Sequence, residues 1–378
     1  MIIKPFALER YFAKYEFTAP YLMCCSDCEA FTLNELLKMG EPEGLMMWEK
    51  LGLGYTESSG HPLLREEISK LYDNISPQEV LVTAPEEGLF ITMQTLLQKG
   101  DHVVVTGPGY QSLWEVALSL GCRLSFWMPH WSETLGWRFN VEDLFDLVHK
   151  ETKLLVINFP HNPTGALLNE ADLNRIVALA RERHLSIFSD EMYRYLEFDP
   201  SLRLPSVAEL YEQGIALSGL SKSFALPGLR IGWLISKNKT LLQSCAFYKD
   251  YTTICSSAPS EILGVIGLRA KEQIVQRNLF LIAHHLRLLD NFFNCHTDLF
   301  VWHRPSASSI AFPKLLIETS VTKYCDDLIE KSGVMLLPAP LFGLDEPYFR
   351  IGFGRKNVPE VLRIWEEALF MQKRDNSS

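Results

Sequence analysis

The chain has 378 residues, more than one typical domain and fewer than three, which favours one large domain with a smaller companion. Hydrophobic residues make up 47% and charged residues 22%, which is ordinary for a globular protein with a full core. The 36 Lys and Arg against 46 Asp and Glu leave a net charge of −10. This charge argues against nucleic acid or an anionic membrane as the main partner and favours a small molecule.

The N-terminal stretch 1–17 does not resemble a signal peptide, because charged residues interrupt its apolar residues. No window of the sequence approaches the roughly eighteen uncharged apolar residues of a membrane span. The eight cysteines are scattered, apart from a cluster at 24–28 that no second pair completes into a zinc site. We therefore expect a cytoplasmic protein with reduced thiols and no bound metal.

From residue 79 onward, short apolar runs rich in branched residues alternate with segments of helical spacing. The run LLVI at 154–157 is apolar at every position, as in a strand that is covered on both faces of a parallel sheet. The predicted fold class is therefore α/β, with a three-layer α/β/α large domain around a mostly parallel sheet. We expect its strands at 79–83, 102–106, 123–127, 153–159, 185–190 and 215–220. One predicted helix has a buried face formed by Leu173, Ile176, Val177 and Ala180.

The alternation stops near Tyr251. A long helical stretch follows through the 260s to 290s, then a mixed region with two more helices, and this pattern is typical of a smaller α+β domain. The last helix has an apolar face made of Val361, Ile364, Trp365, Ala368 and Leu369. We expect three parts: an N-terminal segment of the small domain at 1–40, the large domain at 41–275, and the C-terminal small domain at 276–378.

Polar side chains follow the predicted strands at their carboxyl ends. Asn162 lies in a prolyl turn after one strand, and Asp190 ends the next, with Tyr193 three residues on. Lys222 and Arg230 follow a third strand. Because ligands of parallel sheets bind outside these strand ends, we expect the five side chains on one rim.

This set of groups suits an aldehyde cofactor that carries a phosphate and a pyridine ring. Such a cofactor needs a lysine for a Schiff base, an acid that keeps the ring nitrogen protonated, and a fixed cation for the phosphate. Lys222, Asp190 and Arg230 supply these three groups. The residues therefore predict pyridoxal 5′-phosphate as the cofactor.

Four motifs in order resemble the class I/II aminotransferase superfamily, the fold type I pyridoxal-phosphate enzymes. They are NPTG at 162–165, DEMY at 190–193, SK with PGLRIGW at 221–233, and FRIGF at 349–353. The resemblance covers nearly the whole chain. It implies an enzyme that acts on a small amino-acid substrate, and a homodimer with active sites at the subunit interface.

The resemblance also implies roles for individual residues around the cofactor. Lys222 would be the Schiff-base lysine and proton shuttle, and Asp190 would contact the pyridine nitrogen. Tyr193 and Asn162 would contact the phenolic oxygen. Arg230 would bind the phosphate, and the residues expected to complete the cofactor site are Ser221, Glu86 and Tyr110, the last stacked on the ring.

Two further residues have implied roles at the substrate and at the partner subunit. Arg350 would hold the substrate carboxylate in a bidentate pair, and Asn162 is also expected to bind the substrate. Tyr55 would reach the phosphate of the partner subunit.

The phosphate site departs from the common pattern of the family in two places. Gly219 stands where many relatives carry a serine that bonds the phosphate. The turn that usually offers backbone N–H groups reads Ala84-Pro85-Glu86-Glu87, and proline has no N–H to give. The amide of Glu86 could still serve, but two carboxylates would repel a phosphate unless their side chains point away.

The N-terminal segment departs further from ordinary aminotransferases. ERYFAKYEF at 9–17, followed by SDCE at 26–29, resembles a small subgroup that includes capreomycidine synthase and forms cyclic arginine-derived amino acids. By the resemblance this segment is an active-site lid, and it carries the acidic residues Glu9, Asp27 and Glu29. A dicarboxylate-specific aminotransferase would instead need an extra arginine in the pocket.

The subgroup implies a cyclodehydratase for a hydroxylated L-arginine. Lys222 would remove the α proton, the hydroxyl would leave, and the guanidine would add back within the same molecule. Carboxylates can hold a guanidinium or act as general acid or base, which makes Glu9 and Asp27 candidate catalytic residues. Both could instead cap or solvate an N-terminal helix.

Three other functions compete with this interpretation. An L-amino acid:2-oxoglutarate aminotransferase is the main alternative, and it would release a keto acid. A pyridoxal-phosphate-binding regulator would carry a DNA-binding domain ahead of the fold, whereas the fold is expected to begin almost at Met1. A Rossmann oxidoreductase would need Gly-x-Gly-x-x-Gly after a strand, and the sequence has none.

Overall fold

The computed structural model describes residues 2–375, which form fourteen α-helices and sixteen strands. The helices are α1 (Ala7–Tyr15), α2 (Leu33–Lys38), α3 (Pro42–Glu49), α4 (Pro62–Ser69), α5 (Pro85–Leu96), α6 (Ser112–Ser119), α7 (Val141–Leu147), α8 (Glu170–Arg183), α9 (Val207–Leu210), α10 (Lys239–Lys249), α11 (Ala258–Arg269), α12 (Lys271–Cys295), α13 (Val321–Ser332) and α14 (Val358–Asp375). The strands are β1 (Tyr21–Leu22), β2 (Val80–Thr83), β3 (His102–Thr106), β4 (Arg123–Trp127), β5 (His130–Ser132), β6 (Gly136–Arg138), β7 (Thr152–Asn158), β8 (Ser186–Asp190), β9 (Gly214–Gly219), β10 (Gly232–Ile235), β11 (Phe300–Val301), β12 (Ile310–Ala311), β13 (Lys314–Leu315), β14 (Val334–Met335), β15 (Leu337–Pro338) and β16 (Phe349–Gly352).

A seven-stranded sheet in the order β2-β10-β9-β8-β7-β3-β4 forms the centre of the molecule. All six strands expected from the sequence belong to it. β10 was not among them; it pairs antiparallel with both β2 and β9, whereas the other neighbours are parallel. The predicted α/β class with a mostly parallel sheet is confirmed.

Helices cover both faces of this sheet, because each strand sends alternate side chains to opposite sides. On β3, Val103 and Val105 pack with α5, α6 and α10, whereas Val104 packs with α7 and α8. A third cluster joins α4 and α11 to β2, β9 and β10. The helix predicted from its buried face is α8, and its four apolar residues are all buried: Leu173, Ile176, Val177 and Ala180. The three-layer architecture follows from these packed clusters.

The N- and C-terminal segments pack together beside the sheet. β1 pairs parallel with β14, and Met23 shares a buried cluster with Trp365 of α14. The predicted long helical stretch is two helices, α11 and α12, separated at Ala270. Within α12, Ile274 packs in the cluster beneath the large sheet and Leu286 in the terminal cluster, so this one helix joins both cores. The domain boundaries at residues 40 and 275 stay predictions.

No helix in the part of the chain that the structure covers combines the length and apolarity needed to cross a bilayer. All eight cysteines are free thiols, and seven of them are at least partly buried. The cytoplasmic location stays a prediction.

Candidate active site

A cleft of about 750 Å³ lies where β7, β8 and β9 end, with α1 along its rim. Eleven of the twelve predicted site residues line it: Glu9, Asp27, Glu86, Tyr110, Asn162, Asp190, Tyr193, Ser221, Lys222, Arg230 and Arg350. Tyr55 lies outside the cleft and is 93% exposed. The structure therefore brings the predicted groups onto one rim, while the role of each remains a prediction.

Lys222 follows β9 and points its amine into the cleft. Its Nζ donates a hydrogen bond to Ser26 Oγ at 2.7 Å. Burial lowers the pKa of Lys222, and the nearby Arg350 guanidinium lowers it further, while Asp27 opposes both effects. A lowered pKa leaves more of the amine neutral, which is the nucleophilic form that a Schiff base requires.

Asp190 is the last residue of β8 and accepts a hydrogen bond from the backbone N–H of Met192 at 3.1 Å. Burial raises the pKa of this carboxyl to about 7, and Glu86 adds to the effect. A buried carboxylate needs a cationic partner to stay ionised. A protonated pyridine nitrogen is such a partner.

Arg350 lies on β16 and is only 1% exposed. Its Nη1 donates to Asn162 Oδ1 at 3.0 Å and its Nη2 to the carbonyl of Cys24 at 3.0 Å. Its Nε has no hydrogen-bond partner among residues 2–375, and neither has the buried hydroxyl of Tyr193. Two buried polar groups without partners, both on residues that line the cleft, indicate that the site is built for a polar ligand.

The donor set fits pyridoxal 5′-phosphate. Lys222 and Asp190 would hold the aldehyde carbon and the ring nitrogen, and Asn162 with Tyr193 would hold the phenolic oxygen. Arg230, in the left-handed conformation at φ 57°, lies exposed at the cleft and donates to the carbonyl of Pro227 at 3.0 Å. Its other guanidinium N–H groups suit a phosphate.

The structure explains both departures at the phosphate end. A Cβ on Gly219 would lie 3.0 Å from Gly232 Cα and from the Ile231 carbonyl, so the antiparallel neighbour β10 leaves no room for a serine. Pro85 is the first residue of α5. Glu87 turns toward the segment that follows α10, where its Oε1 accepts a hydrogen bond from Thr253 Oγ1 at 2.8 Å, while Glu86 lines the cleft.

The helix α1 lies along the cleft, with Leu8, Glu9 and Phe12 among the lining residues. Glu9 Oε1 accepts a hydrogen bond from the hydroxyl of Tyr110 at 3.3 Å. The start of the helix is fixed to the large domain, because the Ala7 N–H donates to Gln111 Oε1 at 2.8 Å. Burial and the neighbouring carboxylates raise the pKa of Tyr110, which keeps its hydroxyl a donor.

Asp27 is 8% exposed and forms a bidentate ion pair with Arg355. Arg355 Nε lies 3.1 Å from Oδ1, and Nη2 lies 3.0 Å from Oδ2. The segment that carries Asp27 packs tightly against β16, since a Cβ on Gly352 would lie 1.8 Å from the Cys25 carbonyl oxygen. The acidic side chain is thus held in one place and neutralised by a guanidinium.

Among the lining residues that the sequence analysis did not predict are three with charged or hydroxyl side chains: Ser26, Arg355 and Glu16. Glu16 had a detectable signal, because it follows Glu9 by seven residues in a run of helical spacing. Ser26 and Arg355 had none, since only the packing of the 24–28 segment on β16 brings them to Lys222 and Asp27.

The chain belongs to the aminotransferase class I and II family, whose model matches residues 50–363. It is therefore an enzyme that depends on pyridoxal 5′-phosphate.

The chain is similar to enzymes of more than one kind. A capreomycidine synthase from Streptomyces vinaceus is 29% identical over 281 residues, which cover 74% of this chain and 71% of that protein. An aspartate aminotransferase from Sulfurisphaera tokodaii is 25% identical over 335 residues, with 84% and 83% covered.

Two solved structures share the fold. A PLP-dependent aminotransferase from Streptococcus suis matches with a TM-score of 0.90 and 30% identity over 99% of both chains. The PLP-dependent cyclase OrfR matches with a TM-score of 0.88 and 23% identity over 100% of this chain and 98% of its own.

Proposed function

We propose that the protein is a cyclodehydratase that converts a hydroxylated L-arginine into a cyclic amino acid by loss of water. The observation that carries this proposal is the bidentate ion pair between Asp27 and Arg355. An aminotransferase for dicarboxylic amino acids needs a free arginine for the distal carboxylate, whereas Arg355 is already bound through two nitrogens. Glu9 adds negative charge from α1, and a guanidinium is the complementary group.

The amino-acid end of such a substrate would be bound by residues of the cleft. Arg350 would bind the α-carboxylate, and Asn162 would orient the guanidinium of Arg350. Lys222 would take the α proton, since its lowered pKa favours the neutral amine. Pyridoxal 5′-phosphate, when bound, supplies an electron sink for the bond changes at the α carbon.

The proposed reaction balances without an oxidant or reductant. The C–O bond to the hydroxyl breaks, and a guanidine nitrogen forms a C–N bond to the same carbon and gives up a proton. Hydroxide and that proton leave as water, while Lys222 returns the α proton. Glu9, or else Asp27, would transfer the proton to the leaving hydroxyl. Ring closure is favoured because nucleophile and acceptor belong to one molecule.

The comparisons support the proposal and its alternative to different extents. Similarity to the capreomycidine synthase favours cyclisation. Similarity to the aspartate aminotransferase favours the alternative, an L-amino acid:2-oxoglutarate aminotransferase, over a larger share of the chain. That reaction would use the same Lys222, Asp190 and Arg350, so the residues of α1 and of the 24–28 segment distinguish the two.

We further propose that the enzyme is a homodimer in which Tyr55 reaches the phosphate of the partner subunit. Tyr55 is 93% exposed and Leu53 is 84% exposed, within a stretch that lies outside the cleft of its own chain. Large exposed side chains of this kind are typical of surfaces that another subunit covers.

Glu9→Gln tests the proposed chemistry, since the variant keeps an oxygen for the Tyr110 hydroxyl but cannot transfer a proton. We expect the rate of water loss from hydroxyarginine to fall about a hundredfold. Substrate binding, followed by the visible absorbance of the bound cofactor, should change less. Glu133→Gln, at an exposed position outside the cleft, is the matched control. An unchanged rate in Glu9→Gln would remove Glu9 from the reaction.

A further inference from the structure

Glu16 is a cleft residue to which no role has been given so far. It directly follows α1 and lines the cleft together with Glu9 and Phe12. Positions 9, 12 and 16 follow the i, i+3, i+7 spacing of one helix face. The helix therefore presents two carboxylates to the cleft, with an aromatic ring between them.

The Glu16 carboxylate has no hydrogen bond or ion pair within the part of the chain that the structure describes. Burial raises its pKa, and Glu9 and Asp27 raise it further, while Arg355 and Lys222 act in the opposite direction. By contrast, Glu9 is bonded to Tyr110 and Asp27 to Arg355. Of the three acidic side chains that the N-terminal segment contributes to the cleft, Glu16 is thus the one left for a ligand.

The cleft also shows independently that it is built for a ligand with a charged end. Arg350 and Tyr193 line the cleft, and Arg350 Nε and the Tyr193 hydroxyl are buried without a partner among the described residues. Arg350 suits the α-carboxylate of an amino acid. An amino acid held there by its carboxylate extends its side chain toward the rest of the cleft, where α1 contributes its carboxylates.

We propose that Glu16 is a specificity-determining residue, whose carboxylate binds the guanidinium of the substrate side chain. This inference rests on the proposed function, since it names the residue that selects a guanidino amino acid. A carboxylate and a guanidinium form charge-assisted hydrogen bonds that a neutral side chain of the same shape cannot replace. Glu16 therefore discriminates by charge, while the α-carboxylate contact is common to all amino acids.

The test compares L-arginine with L-citrulline, in which a neutral urea replaces the guanidinium at nearly the same size. Binding to the cofactor-loaded enzyme is titrated by its visible absorbance, for the wild type, Glu16→Gln and the control Glu133→Gln. We expect the wild type and the control to bind arginine at least about tenfold more tightly than citrulline. Glu16→Gln should lose most of that preference by weakening arginine alone, and Glu16→Asp should keep part of it.

Three results would overturn the inference, and they differ in what they imply. A wild type that binds arginine no better than citrulline would refute the proposed function together with the role of Glu16. A wild type that prefers arginine, with the same preference in Glu16→Gln, would refute the role of Glu16 alone. An equal loss of affinity for both ligands in Glu16→Gln would show a structural role instead, and thermal unfolding of the variant would confirm it.

Discussion

Asp190→Asn should stabilise the cofactor-free protein while it impairs the enzyme. The carboxyl of Asp190 is 8% exposed, and among residues 2–375 its single hydrogen-bond donor is the backbone N–H of Met192 at 3.1 Å. Its ionised form is therefore poorly solvated until a cation binds beside it. Asparagine keeps an oxygen for the Met192 N–H but carries no charge.

The size of the effect follows from the pKa. Burial raises the pKa of Asp190 from 3.8 to about 7. Because the folded pKa lies above the unfolded one, the stability that protonation provides is complete below about pH 4 and is lost as the pH rises through about 7. One pKa unit corresponds to about 1.4 kcal/mol. Once the pH has risen above about 7, the free energy of unfolding of the wild type is therefore lower by about 4 kcal/mol than in acid, whereas this contribution is absent in the variant.

Urea unfolding of both cofactor-free proteins at about pH 5 and about pH 8 measures this difference. We expect the advantage of Asp190→Asn to grow by about 2 to 3 kcal/mol between the two pH values. An advantage that does not change with pH would refute the assignment of the shift to burial of Asp190. With cofactor bound the order should reverse, because asparagine cannot keep the ring nitrogen protonated, and the variant should lose cofactor faster on dialysis.

Three further predictions concern the phosphate end, the lysine and the dimer. Gly219→Ser should lower the free energy of unfolding, measured by urea titration, by about 1 to 3 kcal/mol, because the new Cβ would lie 3.0 Å from backbone atoms of Ile231 and Gly232. The control Gly228→Ser has open space around its Cβ and should be nearly neutral. Equal unfolding midpoints for the two variants would contradict the steric explanation. Ser26→Ala removes the hydrogen-bond acceptor of the Lys222 ammonium, so chemical labelling of this amine in the cofactor-free protein should reach half its maximum at a lower pH. An unchanged pH profile would mean that the 2.7 Å contact does not stabilise the ammonium form. Mixing inactive Lys222→Ala with a Tyr55→Ala variant should restore activity through mixed dimers with one intact site, and no recovery would argue against shared sites.

The sheet was predictable because its strands are apolar at nearly every position and are separated by helical spacing. The antiparallel orientation of β10 was not predictable, because a four-residue apolar run is compatible with a parallel and with an antiparallel strand. The break between α11 and α12 has no glycine or proline to mark it. It lies where the chain leaves the core of the large sheet for the terminal core, which is a tertiary effect.

The cleft was predictable in part for a similar reason. Residues at strand ends, such as Asn162, Asp190 and Lys222, are brought together by the topology of a parallel sheet, whatever the details of packing. Arg355 and Ser26 depend on contacts between segments about 300 residues apart, which periodicity does not reveal. The pairing of Asp27 with Arg355 therefore required the structure, and it is the contact that carries the proposed function.

The most direct test of the cyclodehydratase is a mass-spectrometric product assay on the purified, cofactor-loaded enzyme. β- or γ-hydroxyarginine is supplied without any keto acid. We expect the substrate to lose one water while the α-amino nitrogen is retained. An unchanged substrate, with turnover only when 2-oxoglutarate and an amino acid are supplied together, would contradict the account and identify the enzyme as an aminotransferase.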